Sequence, residues 1–266
     1  MTRSVNSCEP RGLQFIAPYR RLRLSVFLCS IDRCDEQLAN FTAFCEYIAM
    51  PVERIYKGKG LSSEELALIE PFSISQHAVS RAEIKKSDNV LVIGAGPIGL
   101  FALLAAKQKC NKIVVADILD NRLELAKEYG ADAVVNTKTQ SLSDFTQEFT
   151  NGNGFDVCIE ACGAPETFLG CIDSAAFAAN IILIGNGKRE TSFVHSVILK
   201  KELNIHGSRN ALKDDFINNI DLVAGDKADV MKMVSGVYDM ADALDAFKAL
   251  ANNDGTLAKL LINIGG

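Results

Sequence analysis

Apolar and polar positions along this chain switch between two periods. Val90 to Ile93 is an unbroken apolar, β-branched run that suits a parallel strand covered on both faces. The next segment, Pro97 to Gln108, carries Ile98, Leu100, Phe101, Leu103, Leu104 and Ala105 and suits a largely buried helix. The alternation then continues. Strands are predicted at Lys112 to Ala116, Ala133 to Asn136, Phe155 to Ala161, Asn180 to Ile184 and Leu203 to His206. Between them the pattern predicts helices at Asn121 to Tyr129, Ser141 to Thr150 and Pro165 to Ala178, with a helical turn or two at Val194 to Lys201. Strands alternating with helices predict an α/β fold with a doubly wound, six-stranded parallel sheet and right-handed crossovers. Its ligand belongs at the carboxyl ends of the strands.

The flanks read differently. Residues 1 to 40 mix charged and apolar positions without a sustained period. Short strands are predicted at Glu46 to Met50, stopped by Pro51, and at Ile55 to Lys57. Ser62 and Glu65 have capping-box spacing, opening a helix that runs to Glu70-Pro71, and Phe72 to Arg81 supplies a second helical stretch. Beyond the sheet, helices are predicted at Asp214 to Ala224 and at Met240 to Asn252, the latter capped by Asp239, with a last strand at Leu257 to Ile264. These pieces are surplus to the sheet and are expected to fold back onto residues 44 to 82. An exposed apolar patch is expected there as well.

The turn between the first strand and its helix carries the chemistry. Gly94, Gly96 and Gly99 fall at GxGxxG spacing. The first permits a tight turn, the second lets a pyrophosphate approach the backbone, and the third lets the helix pack closely on the strand. Free N–H groups and the positive end of the helix dipole would hold the phosphates. Pro97 suits such a start, because its missing N–H costs nothing in a first turn. Asp117 closes the second strand about 20 residues on, where a carboxylate accepts hydrogen bonds from ribose hydroxyls and repels a 2′-phosphate, so NAD is favoured over NADP. Two other readings stand beside this one: a glycine turn that binds nothing, with Asp117 capping the next helix, and a methyltransferase-like nucleotide site.

Composition narrows the classes. A net charge of -5 with no dense basic patch argues against a nucleic-acid partner. No apolar run is long enough to cross a membrane. The eight cysteines form no CxxC pair, and Cys110, Cys158 and Cys171 lie in segments that read as core, so buried free thiols in a reducing cytoplasm are expected.

From about Phe44 onward the chain resembles the medium-chain, zinc-type alcohol and polyol dehydrogenases. The residues carrying the resemblance are Glu46-Tyr-Ile-Ala-Met-Pro51, Ala67-Leu-Ile-Glu-Pro-Phe-Ser-Ile74 with His77-Ala-Val, the Gly94 to Gly99 loop, and Val157-Cys-Ile-Glu-Ala-Cys-Gly163. Lys200-Lys-Glu-Leu with Gly207-Ser-Arg-Asn210 is most similar to the branch acting on sugar acids such as galactonate. The resemblance implies a Rossmann NAD-binding domain at 83–212, a remnant of a mostly β catalytic domain at 44–82, and C-terminal elements at 213–266 that return to that remnant. Residues 1–43 stay unmatched, as though the catalytic domain were truncated ahead of Phe44. It further implies that Gly94, Gly96, Pro97, Ile98 and Gly99 hold the pyrophosphate, that Asp117 holds the adenosine ribose, and that Arg122 flanks ribose and adenine. The substrate would be a sugar acid or polyol, and the protein a homodimer.

In that family a zinc ion brings the alcohol oxygen toward alkoxide so that hydride leaves the carbon. Such a site needs about three protein ligands and an open position. The family's early Cys-Gly-x-Asp and Gly-His-Glu motifs are missing here, and His77, His195 and His206 are scattered. Glu70 matches the Glu-Pro position at or near the zinc; it reads equally as a helix-end carboxylate. Arg209 reads as a partner for a substrate carboxylate or as a surface arginine near a subunit contact. His77 reads as a ligand or as a hydrogen-bonded helix residue. Cys29, Cys34 and Cys45 match no zinc spacing.

Overall fold

In this computed structural model the described residues are 55–265. The strand at Glu46 to Met50, the cysteines at 8, 29, 34 and 45, and the unmatched N-terminal segment lie outside them. Six strands form the central sheet: β1 (Asn89–Ile93), β2 (Lys112–Asp117), β3 (Ala133–Asn136), β4 (Phe155–Glu160), β5 (Ala175–Leu183) and β6 (Asn204–Gly207). Their order is β3-β2-β1-β4-β5-β6 and every pairing is parallel, so the doubly wound sheet forms as expected. Strand β1 shows why. Val90 and Val92 join one buried cluster with α1 (Ser63–Arg81), α2 (Pro97–Lys107), α3 (Asp120–Glu128) and α7 (Lys213–Ala224). Leu91 and Ile93 join a second cluster on the opposite face, with α4 (Leu142–Phe149), α5 (Pro165–Ser174) and α6 (Ser196–Lys201). A strand covered on both sides can be apolar throughout.

Several expectations change. The two helical stretches around Pro71 are one helix, α1, opened by the predicted capping box of Ser62 and Glu65. A proline inside a helix removes one hydrogen bond and costs about 3 kcal/mol, but here Leu68, Ile69 and Phe72 are fully buried and Phe72 stacks on Phe101 of α2 at 5.0 Å. Tertiary packing therefore carries the helix through. The second change is that α5 ends at Ser174 instead of Ala178. Lys201 Nζ donates to the carbonyls of Ile172, Asp173 and Ala175, which closes the helix, and Ala175 already pairs with Phe155 of β4. The alanine-rich stretch is drawn into β5. Thirdly, no strand forms at Ile55 to Lys57, where Tyr56 packs on Phe216 of α7 at 5.6 Å.

The C-terminal elements hold a strand that the sequence pattern leaves unread, β7 (Val234–Asp239), paired in parallel with β8 (Lys259–Asn263) and joined to it through α8 (Ala243–Ala251). A 3-10 turn at Met240–Asp242 precedes α8, so Asp242 and not Asp239 stands at the N-cap of α8; Asp239 stands at the N-cap of the 3-10 turn without a side-chain cap bond, and its carboxylate accepts from Asn263 Nδ2 at 3.4 Å. Helix α7 lies on α1, tied by His77 Nδ1 to Asp215 Oδ2 (3.0 Å) and Asn219 Nδ2 to Ser73 Oγ (3.3 Å). Of the stretch expected to expose apolar surface, residues 44–54 lie outside the described ones and Ile55 is exposed; Val237, Leu244 and Phe247 of β7 and α8 are more than half exposed as well.

Candidate functional site

The carboxyl ends of β1, β2, β4, β5 and β6 form one rim, and the glycine turn sits near its middle. Gly94 has φ +107°, a conformation that L side chains rarely adopt, and its N–H donates to Ala116 O at 2.8 Å. A Cβ on Gly99 would fall 1.7 Å from Gly94 O, so the helix approaches the turn as closely as backbone allows. A Cβ on Gly96 would meet nothing within 4 Å. Gly96 is the N-cap of α2, and Pro97 stands in the first turn. This N-terminus has no side-chain cap and no acidic residue in its first turn, whereas α1, α3, α4, α5, α7 and α8 each carry one there. The first N–H groups of α2, Ile98 and Gly99 included, precede any intrahelical acceptor and face an unneutralised dipole.

Asp117 closes β2 and is 7% exposed. Its Oδ2 accepts from Ala95 N (2.6 Å), inside the glycine turn, and its Oδ1 accepts from Ile118 N (2.7 Å) and Leu119 N (3.0 Å). A carboxylate has about four acceptor positions. Three are taken by main chain, so the acid shapes the turn as well as facing the rim. Arg122, in the first turn of α3, donates through Nε to Gly255 O (3.3 Å), and Asn121 Nδ2 donates to the same carbonyl (3.0 Å). Together they dock the 253–257 loop against the β2 side of the rim.

The β4 side carries a second buried acid, which the sequence reading passes over. Glu160 is 2% exposed, and its Oε1 accepts from Cys162 N (2.8 Å), Gly163 N (2.8 Å) and Thr167 Oγ1 (2.7 Å). Its main-chain carbonyl accepts from Ile184 N and Gly185 N at 2.9 and 3.1 Å. Gly163 and the Gly185–Gly187 loop are pressed backbone to backbone: a Cβ on Gly185 would lie 2.1 Å from Gly163 N and 2.5 Å from Glu160 Oε2. The available signal was a glutamate directly after the apolar Val157-Cys-Ile run of β4. Cys162 lies against the glycine turn, its Sγ 3.5 Å from Ile93 O. Burial, then the charges of Glu160 and Asp117, push its thiol up to about 12, and Arg122 pulls it back in part. As expected, Cys110, Cys158 and Cys171 are buried.

The other candidates are not gathered with these. Glu70 is half-buried in the middle of α1; burial raises its pKa and Lys259 of β8 partly lowers it. Ser75 of the same helix donates to Ile98 O at 2.7 Å, so Glu70 lies about 7.5 Å along the helix axis from a contact with the first turn of α2. His77 is turned to Asp215. Arg209 is exposed just past β6, on the carboxyl-end rim. Among the described residues no group of three His, Cys, Asp or Glu is placed to hold a metal ion.

Residues 97–225, from α2 to the end of α7, match the family model of the zinc-binding dehydrogenases. An uncharacterized zinc-type alcohol dehydrogenase-like protein of Haemophilus influenzae is 37% identical over 215 residues, 78% of this chain and 63% of its own. The chain belongs to the zinc-type medium-chain dehydrogenases. D-xylulose reductase A of Aspergillus oryzae is 31% identical over 76% of this chain and 58% of its own. Among solved structures, an alcohol dehydrogenase of E. coli CFT073 complexed with cofactor NADH superposes with a TM-score of 0.75 at 28% identity, covering 82% of this chain and 65% of that one. The chain thus spans about three fifths of the length of these relatives.

Proposed function

We propose that the rim binds NAD and that the protein serves hydride transfer between NAD and a secondary alcohol of a polyol or sugar acid. One observation carries the reading: α2 begins in bare main chain, without a cap or an acid, beneath the open space over Gly96. A pyrophosphate fits that space and that dipole. In this reading Gly94, Gly96, Pro97, Ile98 and Gly99 hold the pyrophosphate, and Asp117 gives its remaining acceptor position to the adenosine ribose. Arg122 borders the same nucleoside while anchoring Gly255. Bound NAD supplies the hydride acceptor; the chain's own residues orient it and keep a 2′-phosphate away through the Asp117 charge. Arg209, just past β6, is the residue assigned to a substrate carboxylate, and Glu70 is the acid assigned to the metal region. NADH bound to the E. coli structural relative and the sugar substrate named for the Aspergillus relative support this class.

The family's zinc does not fit the described residues, since Glu70 stands without two further ligands. That donor set favours a second reading, in which the protein binds the dinucleotide without turning over an alcohol. We further propose a cytoplasmic protein that dimerises through β6, which has a neighbour on one side only among the described strands. NADH fluorescence titration alongside metal analysis tests the whole reading. Saturable NADH binding that NADPH does not match is expected; a protein that binds neither cofactor would end it. Alcohol-dependent NAD reduction decides between the catalytic and the non-catalytic reading.

A further inference from the structure

Among the described residues three carboxylates are buried: Asp117, Glu160 and Asp215. Asp215 faces His77 and Leu212 N among the helices, and Asp117 is bound into the turn after β1. Glu160 is placed differently. It ends β4 in register with Ile93 of β1 and Leu183 of β5, beside the point between β1 and β4 where the strand order reverses. A dinucleotide lying across such a point has its adenosine half over β1 to β3 and its other half over β4 to β6. The three groups that donate to Glu160 Oε1 are two amides and a hydroxyl, all neutral. These bonds fix the carboxylate and leave its net charge in place. Burial is the main cause of the raised Cys162 thiol beside it, and the charge of Glu160 is the second.

We infer that Glu160 is a positioning residue for the nicotinamide half of the cofactor, and that its charge makes the site prefer the oxidised, cationic ring over the reduced, neutral one. It acts on position by holding Gly163 against the Gly185–Gly187 loop, and on preference through the field of a buried charge under the half that changes charge. The inference rests on the NAD reading above, and it adds a role for a residue to which that reading gives none.

The test compares the dissociation constants of NAD+ and NADH for the full chain, the Glu160→Gln variant and the Thr167→Val variant. Glu160→Gln keeps the volume and removes the charge, so the NAD+ to NADH dissociation-constant ratio should rise about tenfold, the effect of a unit charge over roughly 10 Å at an effective dielectric near 20. NADH affinity should change by less than about threefold. Thr167→Val leaves the charge and removes one of its donors, so the ratio should move the opposite way, by about twofold. Parallel weakening of both cofactors, or an unchanged ratio in Glu160→Gln, would leave the residue a purely structural part and sink the inference while the NAD reading stands. If Glu160→Gln does not fold, Thr167→Val decides alone, and a shift toward NADH or no shift overturns the idea. Failure of the unaltered chain to bind either form takes both conclusions down together.

Discussion

The rim of the central sheet and the β7–α8–β8 lobe use similar residues in contrasting settings. Around the glycine turn almost no room is left: Val90, Leu91, Val92, Leu100 and Phe101 are fully buried, and several glycines are backed by main chain at less than 3 Å. In the lobe no residue of β8 is fully buried, and β7 alternates between half-buried and exposed. Leu244, Phe247 and Leu250 stand open on α8 at 66%, 51% and 42%. The contrast separates positions where shape is fixed by the fold from positions where it is free. It also separates, inside the rim, residues that maintain the turn from residues left available to a ligand.

Two methyl groups test that second separation. Gly99→Ala adds its Cβ 1.7 Å from Gly94 O, so the helix must leave the turn, at a cost of about 3 kcal/mol read in urea unfolding. Gly96→Ala adds the same group to open space, and apo stability should stay within about 1 kcal/mol. NADH affinity should nevertheless fall at least about tenfold, or 1.4 kcal/mol, because the methyl fills the pyrophosphate's approach. A Gly96→Ala protein that binds NADH normally would place the phosphates elsewhere.

Asp117 lies on the boundary between the two roles. Removing its carboxylate in Asp117→Ala deprives Ala95, Ile118 and Leu119 of their acceptor, and a buried donor left unpaired costs about 1 to 3 kcal/mol. Loss of about 2 kcal/mol of apo stability is expected together with weaker NADH binding. Unchanged stability with weakened binding would make Asp117 a pure ribose ligand; the reverse would make it a pure turn former.

The same contrast explains what was legible in the sequence. The middle of the sheet was readable because β1 is apolar on both faces and α2 is apolar along nearly its whole length, so Val90 to Ile93 and Pro97 to Lys107 announced themselves. The boundary between α5 and β5 was not, because a lysine far along the chain, Lys201, decides where α5 stops. Pro71 misled for a related reason: local chemistry breaks the helix and distant packing restores it. Strand β7 was missed because its half-buried Val234-Ser-Gly-Val alternation, bent by a register shift, has too few apolar residues to stand out from a loop. At the site, glycine spacing and Asp117 were visible, since each residue type has a fixed geometric use. Glu160 was harder to see: its place after the apolar Val157-Cys-Ile run hints at burial, but does not say that the glutamate collects donors from Cys162, Gly163 and Thr167.

Glu70 sharpens the comparison by joining rim-side helix α1 to lobe strand β8. Burial raises its carboxyl above 4.5 more than Lys259 lowers it. A raised carboxyl contributes stability that is fully present below its unfolded value and lost as pH rises through the folded one. Glu70→Gln should therefore stabilise the protein at neutral pH, by about 0.5 kcal/mol once the weakened Lys259 attraction and solvent screening are allowed for, and the gain should fade toward pH 4. Zinc that raises the melting temperature of the unaltered chain and leaves Glu70→Gln unmoved would instead restore Glu70 as a ligand.

The smallest effect is expected on the open face of the lobe, and its smallness is the informative part. Leu244 and Phe247 are i, i+3 neighbours on α8, more than half exposed, so replacing both with lysine removes little packing. Stability of the monomer should move by no more than about 0.5 kcal/mol, in contrast to Gly99→Ala, which alters fewer atoms at a closed position. If the double lysine variant loses several kcal/mol, the face is covered in solution by chain that packs on it, and the distinction between a closed rim and an open lobe fails at the lobe. If stability holds while sedimentation shifts toward a smaller species, this face, and not the β6 edge, carries self-association.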